Sequence, residues 1–320
     1  MHREMPTVTV VVPAYNHEDY VADCIKSILG QDYPDIDLIV INDGSTDSTD
    51  LRIREWMKEN KCSFRYVSKQ NEGLIKTLNL GLGMSKGEYF CECASDDMML
   101  PGSIRKRVEY LQANPVLDCV FADGYLIEGA AKTEKRLFKD NGKTGFRSSE
   151  HSIEDILSGR ARIFFASGMI KRSVIDALGA FDEAFRYHED WLLKYQIVIR
   201  GRVGYLDEPV MYYRVHSTNT SRGNPLWVRE ENILALEKLI AAHGEPLRGL
   251  LKQYLFREYL KYLKVGRKNR VDRDRLMEEL KKAVKIRRYS LRVLCNFISL
   301  VFYGGGGSKG EVDVHENETR

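Results

Sequence analysis

Val8 to Thr49, VTVVVPAYNHEDYVADCIKSILGQDYPDIDLIVINDGSTDST, is the stretch that decides the architecture. Val8 to Val12 is a short β-rich run. Behind it, Val21, Ile25, Ile28 and Leu29 fall at i, i+4, i+7 and i+8, one apolar stripe on a helix over about Asp19 to Leu29. A second run, Leu38 to Ile41, and a helical pattern from about Ser48 to Lys58 complete a βαβα opening.

The alternation continues with Phe64 to Val67, a helix over Leu74 to Leu82, and Glu88 to Cys93. This predicts a fourth parallel strand, with a right-handed crossover at each step. From about Leu117 to Gly168 the pattern is less regular, with strand pieces at Cys119 to Phe121 and Tyr125 to Ile127. A helix over about Glu189 to Arg200 and strands near Val203 to Leu206 and Val210 to Val215 follow. Beyond Asn224 the pattern is helical to about Tyr303, and the Gly304 to Gly307 run with its polar tail reads as flexible. The expected parts are an α/β catalytic domain over 1–224, a helical extension over 225–303 and a tail over 304–320.

With 320 residues and 43% hydrophobic content, the chain buries a sizeable core. Its six cysteines lack a CxxC pair and fall largely inside apolar patterns, so they read as reduced thiols. No basic start and apolar run precede Val8, which gives a cytoplasmic expectation. The net charge of +3 hides an asymmetry: Leu247 to Tyr303 carries 16 Lys/Arg against 5 Asp/Glu, and the remainder is acidic.

In an open α/β sheet, ligands bind beyond the carboxyl ends of the strands. The polar clusters sit at those ends: Pro13-Ala14-Tyr15-Asn16 after strand one, Asn42-Asp43-Gly44-Ser45-Thr46-Asp47 after strand two, and Ala94-Ser95-Asp96-Asp97 after strand four. Asp43 to Asp47 also suits a turn with a helix N-cap. Adjacent carboxylates at Asp96 and Asp97 repel unless a cation offsets them. Mg2+ or Mn2+ on one or two carboxylates, completed by diphosphate oxygens, matches a nucleotide-sugar leaving group.

These motifs form an ordered series. Val8 to Thr49 is similar to the start of the large family-2 glycosyltransferases with the GT-A fold, a Rossmann-like mixed sheet flanked by helices. Asn71-Glu72-Gly73 and Asn79-Leu80-Gly81 resemble the segment that follows, and Ala94 to Pro101 resembles the metal motif. Gly179-Ala180-Phe181-Asp182-Glu183, leading into His188-Glu189-Asp190-Trp191, resembles the acceptor-side segment, and Tyr213-Arg214-Val215-His216 the closing metal-ligand strand. The resemblance implies that Pro13, Ala14, Tyr15 and Asp43 hold the nucleoside, with Asp96 near ribose and diphosphate. It implies Asp97 as main metal ligand, His216 completing the metal or diphosphate site, and Asp190 as the base that deprotonates the acceptor, with inversion at the sugar C1. Two positions depart from the pattern: Ala94, where many relatives carry an acid, and Leu78, where they often have Arg.

In the extension, Lys281, Lys285, Arg288 and Arg292 align at i, i+4, i+7 and i+11, while Ala283, Ile286, Val293, Phe297 and Leu300 occupy another face. That describes a basic amphipathic helix for an anionic membrane surface, the alternative being a helix packed on its own domain or on a second subunit of a homo-oligomer with its basic face solvated. A lipid-linked saccharide acceptor on the cytoplasmic face, as in bacterial surface-polysaccharide (O-antigen or capsule) assembly, fits the first use. A sugar-phosphate nucleotidyltransferase needs a Gly-rich phosphate loop after strand one, where Pro13 to Asn16 stands. A non-catalytic nucleotide-sugar-binding module needs no base at Asp190. The basic tail lacks the interleaved aromatics of a nucleic-acid binder.

Overall fold

Seven buried residues in a row, Val8–Ala14, form the central strand β1 of a nine-stranded sheet. The computed structural model describes residues 5–61, 64–128, 131–138, 144–186, 189–216, 225–287 and 290–301. The chain divides into two units, Met1–Thr220 and Ser221–Arg320. The tail over 304–320, Cys62, His188 and Arg288 lie outside the described residues.

In the first unit, β1 is followed by α1 (Val21–Leu29), β2 (Ile36–Asp43), α2 (Thr49–Glu59), β3 (Arg65–Lys69), α3 (Leu74–Met84) and β4 (Tyr89–Glu92). β1 pairs in parallel with β2 and β4, and β2 with β3, so the order is β3-β2-β1-β4. The chain thus builds outward from β1 on one side and then crosses to the other. The switch lies between β1 and β4, where a crevice opens beyond the strand ends.

Alternation along β1 sorts its side chains. Val8, Val10 and Val12 join Val21, Ile25 and Ile28 of α1 in one cluster, which also takes Ile104, Val108 and Leu111 of α4 (Ser103–Ala113). Full burial of such a side chain stabilises by about 1.5–3 kcal/mol. Val11 points the other way, toward α3. A Cβ on Gly81 would stand 2.5 Å from Val11 Cγ1, so the bare glycine lets α3 lie close on the sheet.

Beyond β4 the sheet becomes mixed. The elements are β5 (Met98–Met99), α4, β6 (Cys119–Glu128), β7 (Ala131–Arg136), β8 (Thr144–Gly145), α5 (Ile153–Ser158), β9 (Ala161–Arg162), β10 (Met169–Lys171), α6 (Arg172–Leu178), α7 (Glu189–Arg200) and β11 (Val203–Val215). β10 runs antiparallel between β4 and β6, β11 lies parallel to β6, and β5 closes antiparallel on β11. The strand pieces expected at 119–121 and 125–127 are one strand. Asp123-Gly124 does not turn the chain, because the buried Asp123 carboxylate accepts from Gly124 N (2.8 Å), Phe138 N (3.1 Å) and Arg136 Nε (2.9 Å). The two strands expected at 203–206 and 210–215 are likewise one, with register shifts around Pro209 taking up the interruption.

Arg107, 1% exposed, stitches the irregular middle to α4. Its guanidinium donates to the carbonyls of Ser103 (3.0 Å), Ser167 (3.2 Å) and Gly168 (2.9 Å).

The second unit is helical: α8 (Pro225–Ala242), α9 (Leu247–Lys268), α10 (Arg273–Ile286) and α11 (Leu291–Val301), each packed on the next. Arg229 bonds Glu258 at 2.8 Å between α8 and α9, and Arg275 of α10 bonds Glu230 of α8 at 2.6 Å. The segment expected as one basic helix is two, α10 and α11, so Lys281 and Arg292 belong to different helices. α11 buries Val293 and Leu300 and leaves Phe297 (46% exposed) and Ile298 (48%) in solvent. Among the described residues no helix is long and apolar enough to cross a membrane.

Candidate active site

The loops after β1 and β2 are laced together by their own short polar side chains. Asn16, in the left-handed region at φ 52°, accepts from Thr46 N at 2.8 Å, and its own N–H donates to Ser45 Oγ at 3.0 Å. His17 N donates to Thr49 Oγ1 at 2.8 Å, and Ser48 N to Glu18 Oε2 at 2.9 Å. Pro13 and Ala14 are buried at the end of β1, Ala14 in register with Asn42, and Tyr15 is half-buried on the loop.

Asp43, at the end of β2 and 4% exposed, is held from three directions. Its Oδ1 accepts from Glu72 N at 3.0 Å and pairs with Lys69, and its Oδ2 accepts from Gly73 N at 2.9 Å. The two N–H groups belong to the start of α3, where the helix dipole favours a negative charge. Gly44 makes this approach possible: its φ is +68°, and a Cβ would stand 2.5 Å from Asn71 N. With Oδ1 taken twice and Oδ2 once, a lone pair on Oδ2 is left for a ligand donor such as a base N–H.

Across the switch point, the loop after β4 meets the loop after β1 and the end of β11. Asp96 Oδ2 lies 2.8 Å from His216 Nε2 and 4.0 Å from His17 Nε2. His17 Nδ1 is 2.7 Å from the hydroxyl of Ser95, a fully buried residue. One ligand atom each of His17, Asp96 and His216 lie within 4.8 Å of one another. Burial lowers the pKa of His17, against a smaller upward pull from Asp96. Tyr20 stacks on His216 at 5.4 Å between centroids, and its ring also lies under the Arg214 guanidinium at 4.5 Å. The sequence reading did not single out His17, Ser95 or Tyr20; His17 directly follows the Pro13 to Asn16 cluster, and its type was the only signal.

Asp97 is 1% exposed and accepts from Arg214 N at 2.8 Å, while Arg214 Nε donates to the Asp96 carbonyl, also at 2.8 Å. Burial, then the Asp96 charge, push the Asp97 pKa well above the usual carboxylate range. Nearby, Glu92 ends β4. Burial, with Asp190 and Asp96 adding repulsion, raises its pKa to about 8. Sequence reasoning missed Glu92 as well, although an acid inside the apolar run Tyr89 to Cys93 was a legible signal.

Asp190 stands in the first turn of α7, its side chain 18% exposed and 3.3 Å from Lys194 Nζ. That Lys194 ammonium also lies 5.6 Å from the centre of the Trp191 ring. A cavity of about 360 Å³ runs between the Gly179 to Glu183 segment and the α7 residues Leu192, Leu193 and Gln196. A larger one, about 780 Å³, lies at the other end of the sheet beside Thr7, Glu88 and Lys171 and contains none of the candidate residues.

Adjacent buried carboxylates at Asp96 and Asp97, the second with its pKa pushed up by burial and by the charge of the first, with imidazoles within reach, are a donor set that fits a divalent cation. Asp43 with the backbone around it is suited to a nucleoside, and Asp190 to accepting a proton at the crevice edge.

Comparison with known proteins places these features in one family. The sequence model described as Glycosyl transferase family 2 matches residues 9–176. A Haemophilus influenzae protein described as an uncharacterized glycosyltransferase is 32% identical over 222 residues, 68% of this chain and 68% of that one. Among solved structures, Staphylococcus aureus TarS 1-349 in complex with UDP-GlcNAc superposes with a TM-score of 0.64 at 18% identity, covering 92% of this chain and 90% of that one. The mannosyltransferase PcManGT from Pyrobaculum calidifontis, in complex with GDP-Man and Mn2+, gives 0.58 at 19%, covering 93% and 81%. These likenesses show the fold, the GT-A arrangement of a curled mixed sheet between helices.

Proposed function

The chain belongs to glycosyl transferase family 2, and from its site we propose that it is an inverting, metal-dependent enzyme moving a hexosyl or N-acetylhexosaminyl group from a UDP-sugar to a saccharide acceptor. The observation that carries this reading is the meeting of Asp96, Asp97 and the His216 end of β11 at the switch point, with Asp43 at the end of the neighbouring strand β2 and Asp190 at the start of α7. The UDP-GlcNAc and GDP-Man complexes of the two structural neighbours support a nucleoside diphosphate-sugar as donor.

Pro13, Ala14, Tyr15 and Asp43 take the nucleoside, Asp43 through the lone pair that α3 and Lys69 leave open. Asp96 faces ribose and diphosphate. Asp97 and His216, with Asp96 alongside, hold Mn2+ or Mg2+, which when bound offsets the charge that develops on the departing diphosphate. The acceptor hydroxyl oxygen attacks C1 of the sugar while Asp190 takes its proton, and the C1–O bond to the diphosphate breaks on the opposite face. The bond formed replaces the bond lost and the anomeric configuration inverts.

The acceptor is lipid-linked, and the product enters a surface polysaccharide such as O-antigen or capsule. The support for this part lies in the second unit, where exposed Phe297 and Ile298 stand on α11 with exposed Arg292, and Lys285 and Arg287 are exposed at the end of α10. Apolar side chains among cations suit peripheral attachment to the anionic cytoplasmic leaflet.

Incubation of the chain with a panel of UDP- and GDP-sugars, Mn2+ and lipid-linked acceptors, following nucleoside diphosphate release, tests the reading. The expected result is acceptor-dependent release from a UDP-sugar with a product of inverted anomeric configuration by NMR. Failure of every donor to support release overturns it.

A further inference from the structure

We infer that His17 is a direct ligand of the bound cation, so that a second imidazole joins the set of Asp97, His216 and Asp96 proposed above. The inference rests on the metal-dependent reading above and adds a ligand from the loop after β1.

Geometry carries it. A cation with ligand bonds of about 2.1 Å spans ligand atoms from about 3 Å apart when adjacent to about 4.2 Å when opposite. Asp96 Oδ2 meets both limits, at 2.8 Å from His216 Nε2 and 4.0 Å from His17 Nε2. The third separation, between one ligand nitrogen of each imidazole, is no more than 4.8 Å.

The second feature is orientation. A ligating histidine characteristically has its other ring nitrogen fixed by a hydrogen bond, which sets the ring and the tautomer. In His17 that nitrogen is Nδ1, held by the buried Ser95 hydroxyl at 2.7 Å. Ser95 sits directly before Asp96, so one turn presents the carboxylate and aims the imidazole. The His17 backbone is pinned in addition by its N–H to Thr49 Oγ1. The ring is thus fixed through Nδ1, with Nε2 4.0 Å from Asp96 Oδ2.

The donor set has a chemical consequence. Two imidazoles shift preference away from hard cations held by oxygen alone and toward Co2+ and Mn2+ over Mg2+.

The test is pulsed EPR on Mn2+ added to the full, metal-free chain, with and without UDP. The expected result is nitrogen couplings from two imidazoles in the wild type and from one in either His17→Ala or His216→Ala, with Mn2+ affinity falling about ten- to a hundredfold in each. Co2+ is expected to bind at least tenfold more tightly than Mg2+. A wild-type signal with a single imidazole coupling, or a coupling pattern unchanged by His17→Ala, overturns the inference, and so does equal affinity for Co2+ and Mg2+ or no Mn2+ binding with or without UDP. The wild-type coupling count needs no variant to fold. UDP binding measured by calorimetry separates the two claims: intact UDP binding with no histidine coupling sinks the His17 assignment and leaves the transferase reading standing.

Discussion

The backbone N–H of Arg214 donates to the Asp97 carboxylate across 2.8 Å, tying the last strand of the sheet to the turn after β4. Asp97 therefore has a structural duty in the free protein beside the coordinating one proposed for it. Burial raises its pKa, and Asn keeps an uncharged acceptor of the same shape for the Arg214 N–H. Asp97→Asn is expected to keep the metal-free Tm within about 2 °C of wild type, while Asp97→Ala leaves the Arg214 N–H without its acceptor and costs about 1–3 kcal/mol. Both variants lose Mn2+-supported transfer. Thermal melts in EDTA beside initial rates check this, and equal melting temperatures for the Ala and Asn variants would count against the structural duty.

Asp190→Asn removes the proton acceptor and keeps the shape. Transfer is expected to fall by about 10²- to 10⁴-fold, with the nucleotide-sugar dissociation constant within about threefold of wild type. Calorimetry for donor binding and a coupled assay for nucleoside diphosphate release measure the two separately. Near-normal transfer by the variant removes Asp190 as the base.

Glu92 makes stability depend on pH in an unusual direction. Its folded pKa, about 8, lies above the ordinary value of 4.5, so the folded chain binds the proton more tightly than the unfolded one. Its contribution is thus fully present below about pH 4.5 and is lost as pH rises through about 8. Glu92→Gln cannot ionise and is expected to melt higher than wild type at pH 8.5 by several degrees, with the gap closing toward pH 5. Thermal melts of metal-free protein across that range check it, and parallel curves for the two proteins would rule out the proposed proton.

Phe297 and Ile298 are the apolar part of the membrane surface proposed for α11. The double variant Phe297→Glu, Ile298→Glu is expected to lose most co-flotation with vesicles of phosphatidylcholine and phosphatidylglycerol. Wild type is expected to float with these vesicles and weakly with phosphatidylcholine alone. Transfer to a soluble acceptor should be unchanged. Flotation that survives the double variant assigns attachment to another surface.

The first unit was legible in the sequence where physics is local. Val8 to Val12 could only be a buried strand, and the helical stripe of Val21 to Leu29 and the polar clusters at the ends of strands one, two and four located the crevice. The middle was not legible, because its elements depend on distant partners. β10 has three residues and no pattern of its own, and it exists through pairing with β4 and β6. The strand pieces at 119–121 and 125–127 join into one only because Arg136, Gly124 and Phe138 satisfy the Asp123 carboxylate between them. The same limit applied to the site. Asp43, Asp96, Asp97, Asp190 and His216 stood in ordered motifs, whereas nothing near His17 in sequence says that Ser95 aims its ring or that Asp96 lies 4.0 Å away.

The cation cluster draws on the loop after the first strand, the turn after the fourth and the end of the eleventh, so closing it demands long loops of chain. A chain ended at β4 contains Asp43 with its partners Lys69, Glu72 and Gly73, yet lacks the Asp96-Asp97 turn, His216 and the Arg214 amide. Under the proposed mechanism, turnover therefore waits for the last strand of the sheet and reads out its docking.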